Sequence, residues 1–83
     1  MQALVIVCQR REIEHLLDAL EDWKGDGNIV LYGSTPKAKD GFIVMHWTQP
    51  IPRTFEQKQL KADPGIIDYL VYDLPPVLNT DAM

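Results

Sequence analysis

Sulfur chemistry is almost absent from this chain. Its one cysteine, Cys8, excludes an internal disulfide and any cysteine-only metal cage within one copy. The two histidines, His15 and His46, lack the i, i+4 pairing of a helical metal pair, so neither a metal nor a cofactor is expected.

Cations are also in short supply, with eight Lys and Arg against twelve Asp and Glu and a net charge of −4. That is the wrong sign for gripping a phosphate backbone, so no nucleic-acid partner is expected. Long apolar runs are missing too. The longest, Ala3 to Cys8, falls far short of the ~20 residues a membrane helix needs. It also lacks the form of a secretory signal, so no membrane partner and a cytoplasmic location are expected. Paired catalytic carboxylates, phosphate-cradling glycine loops and nucleophile elbows do not occur.

What is present is globular: 46% hydrophobic and 24% charged residues, away from the disordered range. A chain of 83 residues suffices for one core, and buries only roughly 60–65% of its unfolded surface. The expected organisation is one domain over residues 1–74 and a C-terminal tail over 75–83.

Gln2 to Cys8 reads as a strand, apolar at both parities. From Arg10 to Trp23 the period changes, with Ile13, Leu16, Leu17, Leu20 and Trp23 at helical spacing. Gly25-Asp26-Gly27 stops that helix where the chain must turn left-handed. Asn28–Tyr32 and Gly41–Trp47 read as two more strands, joined by a polar loop across Gly33–Asp40. Pro50 and Pro52 lead into a second helix with a thin stripe of Phe55, Leu60 and Ala62. Thr54 and Gln57 have the spacing of a capping box. Asp63-Pro64-Gly65 reads as a type II turn with a positive φ at Gly65, and Ile66–Leu74 as a fourth strand.

The order strand, helix, strand, strand, helix, strand defines the fold class: α+β, ferredoxin-like βαββαβ, with two helices on one face of a four-stranded antiparallel sheet in the order 4-1-3-2. The stretch LKADPGIIDYLVYDL, a short helix running through Asp-Pro-Gly into an alternating strand, resembles the second half of ACT-type small regulatory domains. That resemblance implies a regulatory domain. The polar loop with Lys37 and Lys39 loosely resembles the mobile loop of PII-like trimers. Lys39, Gly41, Phe42, Val44 and His46 partly resemble the third strand of RNA-recognition domains. The first strand lacks the stacking aromatic of those domains.

The strands are apolar on both faces, whereas a sheet with one wet face alternates apolar and polar. The face away from the helices is therefore expected to be covered by a second copy, giving a homo-oligomer through the open sheet face. The reading this supports is a small regulatory or interaction module that binds a protein partner or small ligand. The alternative is a small dimeric α+β-barrel enzyme with a cavity near His46, Trp47, Tyr69 and Tyr72.

Six residues are candidates for ligand binding. His46, Trp47 and Tyr72 belong to the third and fourth strands, and His46 would act as an acid or base in a pocket between subunits if it shares the open face with Cys8 or Tyr72. Cys8 ends the first strand before the helix, where the dipole and Arg10 and Arg11 would lower its pKa. Arg10 and Arg11 oppose the helix dipole, a placement that suits a carboxylate or phosphate. Each has a duller reading: an interface histidine, a core cysteine acting as a small hydrophobe, and solvated arginines.

Overall fold

The computed structural model describes residues 1–75 except 24, 26, 35, 36 and 38. The expected tail beyond Pro75, Asp26 of the helix stop and the middle of the polar loop lie outside the described residues.

Strand β1 (Gln2–Gln9) runs into a 3-10 turn (Arg10–Glu12) and helix α1 (Ile13–Glu21). Strands β2 (Gly27–Ser34) and β3 (Asp40–Trp47) follow, each longer than the sequence pattern indicates. Helix α2 (Arg53–Phe55) continues as one π-helical turn (Glu56–Leu60), and β4 (Ile66–Asp73) closes the order. The sheet order β2-β3-β1-β4, read from its other edge, is the 4-1-3-2 expected, with every neighbouring pair antiparallel.

One face of the sheet carries the core. Leu4, Ile6 and Cys8 of β1 and Ile43, Met45 and Trp47 of β3 are buried against Leu16 and Leu20 of α1 and Phe55 and Leu60 of the second helix. Burying a side chain of this size stabilises by about 1.5–3 kcal/mol. The thin stripe of the second helix suffices because Phe55 lies between two indoles. Trp23 meets it edge-on at 5.1 Å and Trp47 tilted at 4.9 Å.

Three local expectations are corrected. Pro52 is the N-cap of α2 and no side chain caps that end, so Thr54 and Gln57 do not form a capping box. Gly65 does not have a positive φ; of the described residues only Gly25 does, at 138°. The Asp63 turn is still closed, by the Ile66 N–H donating to the Asp63 carbonyl at 3.1 Å. The Gly65 N–H donates to Asp63 Oδ1 at 2.8 Å, so the carboxylate supplies what a type II geometry would have supplied. A Cβ on Gly65 would stand 2.9 Å from Glu12 Oε1, the far end of a side chain that can swing aside. Finally, the helix expected from Arg10 begins in 3-10 form and ends at Glu21.

Candidate functional site

Residues directly opposite in an antiparallel ladder share a face, so the register reads out the open side row by row. At one end Asn28, His46, Ala3 and Tyr72 stand abreast. In the middle are Leu31, Val44, Val5 and Leu70, and beyond them Gly33, Phe42, Val7 and Asp68. The middle row is wholly apolar. Asp68 is the one carboxylate in the three rows and sits at a corner.

This face is only part-buried, and its edges are open. Leu31 is 58% exposed, Leu70 48% and Tyr72 51%, so three large side chains at the flanks meet solvent. Both edge strands carry a bulge, at Val30 in β2 and at Ile67 in β4. Bulges spoil an edge as a template for adding another strand.

The six candidate residues do not converge. His46 and Tyr72 share the open face on either side of Ala3. Trp47 and Cys8 point the other way into the core, at 2% and 0% exposure. Tyr69 also faces the helices, as the ladder partner of Ile6. His46, Trp47, Tyr69 and Tyr72 thus divide between two faces and do not line one cavity. Arg10 and Arg11 are exposed at the end of β1, away from His46.

Cys8 is not acidified. Burial pushes its thiol up from the ordinary value, and the carboxylates of Asp40 and Glu12 push it further. The expected lowering by the helix start and the arginines is overturned because the side chain is turned into the core. The thiolate is the nucleophile, so at neutral pH this cysteine is a small core hydrophobe.

A polar group that spacing did not single out is Gln59, in the π-helical turn. Trp23 Nε1 donates to its Oε1 at 3.2 Å, and its Nε2 donates to Asp63 Oδ2 at 2.9 Å. The same carboxylate oxygen stands 4.0 Å from His15 Nε2. Nearby, the Tyr69 hydroxyl donates to Glu56 Oε2 at 2.8 Å. That bond, then burial, then the charges of Glu56 and Asp68, raise the Tyr69 pKa. These contacts tie both helices to each other and to β4. Their role is to hold the helical layer in place.

No group of three or more His, Cys, Asp and Glu side chains able to hold a metal occurs among the described residues. No helix among them is long and apolar enough to cross a membrane. Comparison with protein-family models, with curated proteins and with solved structures finds no match, so the ACT-type resemblance receives no support from them.

Proposed function

We propose that the domain works as a homodimeric regulatory or interaction module, with its open sheet face packed against that of a second copy. The observation that carries this is the apolar middle row, Leu31, Val44, Val5 and Leu70, flanked by Phe42 and Val7. Strands ~4.8 Å apart rising ~3.3 Å per residue give four eight-residue strands a flat footprint of about 500 Å2. Counted on both copies this reaches the ~1,000 Å2 that a specific interface needs.

Symmetry favours one arrangement. A two-fold axis across the strands lays the middle row on itself and sets Tyr72 opposite the partner's Asp68. A hydroxyl then meets Asp68, the one carboxylate of those three rows, whose Oδ1 already accepts from the Tyr69 N–H at 2.8 Å and whose other oxygen gains a donor. An axis along the strands sets Asp68 over the partner's Gly33, which offers the carboxylate no side-chain donor beyond the Tyr69 N–H it already has. The bulged edges support the face over the edge as the contact.

Light scattering after size exclusion, across a concentration series, tests the proposal. A dimer that persists into the low micromolar range is the expected result. A monomer at about 100 μM, where even a weak specific dimer would assemble, overturns it.

A further inference from the structure

The described surface also holds a wide, open hollow of about 730 Å3 at the rim of the sheet, lined by Gln9, Arg10, Arg11, Lys39 and Asp40. The ladder of β1 and β3 builds it. Gln9 and Asp40 are the last paired residues, and one step on the Arg10 N–H donates to the Lys39 carbonyl at 2.7 Å. That bond fixes the two chain segments side by side and brings their cations to one place.

Arg11 is oriented as well. Its Nε donates to Gln9 Oε1 at 2.9 Å, so the guanidinium plane is set by a neighbour before any ligand arrives. A guanidinium offers five donors in a rigid fork, and this bond uses only the Nε–H. Among the described lining residues three are cations and one is a carboxylate, in a chain whose net charge is −4. The local field therefore attracts anions while the whole molecule repels a long polyanion. The aliphatic stems of Arg10, Arg11 and Lys39 add apolar wall beside the charged heads, and a guanidinium plane also stacks on flat rings.

We propose that this hollow binds a small phosphorylated ligand with a flat ring, of the nucleotide class, its phosphates held by Arg11 and Lys39. The hollow falls within the ~300–1,000 Å3 of small-molecule sites. Asp40 opposes the anion and so keeps the affinity modest. The site draws its described lining from one chain, and its Gln9 and Asp40 continue the open face at its far end.

Calorimetric titration of the full chain with ADP, with pyrophosphate and with adenosine is the test. ADP binding that weakens roughly fivefold to tenfold in Arg11→Gln and in Lys39→Gln is expected, from loss of one charge-assisted contact each. Asp40→Asn should tighten it, a change of sign that misfolding cannot imitate. Adenosine should bind far more weakly than ADP. All the altered side chains are exposed, and circular dichroism checks that the fold persists. No heat from ADP or pyrophosphate up to about 10 mM, where a Kd near 1 mM would register, overturns the proposal. So does binding that Arg11→Gln and Lys39→Gln both leave unchanged.

Discussion

His46 and Tyr72 flank Ala3 on the open face of the sheet, each directly opposite it in its own ladder. Ala3 is the smallest side chain in its row, so between the two polar tips the sheet surface dips. Trp47, the very next residue after His46, lies on the far side against Phe55. Strand alternation alone separates them. His46 and Tyr72 are therefore available to a partner across the open face, and the indole is committed to the core.

From this arrangement Leu70→Lys is expected to break the dimer and spare the fold. Leu70 is 48% exposed in the single copy, so the monomer loses little by the change. At the two-fold axis the new charge would meet desolvation and its own symmetry mate. A loss of about 1–3 kcal/mol, or roughly fivefold to a hundredfold in dimer affinity, follows from removing a buried apolar anchor. Sedimentation or light scattering reads the shift. An unchanged dimer with normal circular dichroism would place the interface elsewhere.

Cys8 supplies a second prediction. With its side chain fully buried and its thiol raised by burial and by Asp40 and Glu12, it should react with a thiol reagent only when the domain opens. At a stability of ~0.05–0.15 kcal/mol per residue, the open fraction is below about 10⁻³. Labelling in native buffer should thus be about a thousandfold slower than in denaturant. Comparable rates in the two conditions would show that Cys8 is reachable in the native state, which the packing denies.

Much of this architecture was legible in the sequence for simple reasons. β1 is apolar at both parities because it is a central strand, with a neighbour on each side and the helices on one face. The helical period from Ile13 to Leu20 survives because α1 buries one stripe. What stayed hidden were features with no periodic trace. The bulge at Val30 turns Ile29 inward and Leu31 outward, although the two are of equal parity. The second helix looked thin because its weight comes from Trp23 and Trp47, far from it in the chain. Gly65 fits a type II turn by composition, and only the structure shows that the turn is closed by the Asp63 carbonyl and carboxylate without a positive φ at Gly65. The hollow at Arg11 draws its residues from two chain segments that meet only through the β1–β3 register. The arginines could be flagged from sequence, but Lys39 could not be placed beside them.

Two glycines of β2 make a paired test of packing. A Cβ on Gly27 would fall 2.6 Å from the Trp47 ring, while one on Gly33 would stand 3.5 Å from Phe42, an ordinary contact. Trp47 is held in turn by Phe55 and cannot retreat. Gly27→Ala should therefore cost about 1–3 kcal/mol, the range for overpacking. Gly33→Ala should stay within about 0.5 kcal/mol of the parent, or gain slightly from reduced unfolded-state entropy. Denaturant melts measure both. Equal effects at the two positions would mean that the Trp47 ring is free to move.

The hydroxyl of Tyr69 offers a prediction in which the sign of the pH dependence is the test. It donates to Glu56 Oε2 at 2.8 Å, and that bond is the largest cause of its raised pKa. In Tyr69→Phe the loss at neutral pH should be about 1 kcal/mol, allowing for the partial exposure of the pair. A tyrosine whose folded pKa is raised adds stability that is complete below the unfolded value of 10.0 and fades as pH climbs through the folded one. The parent should therefore lose stability above pH 10.0, and its lead over Tyr69→Phe should shrink there. Cys8, raised from 9.0, begins its own alkaline loss at lower pH, but it does so in both proteins and cancels from the difference. Urea unfolding at a series of pH values from neutral to strongly alkaline measures that difference. A lead that stays constant across the range would show that the Tyr69–Glu56 bond is not what ties β4 to the second helix. A lead that closes as the phenol ionises would identify that bond as one clamp holding the helical layer on the sheet.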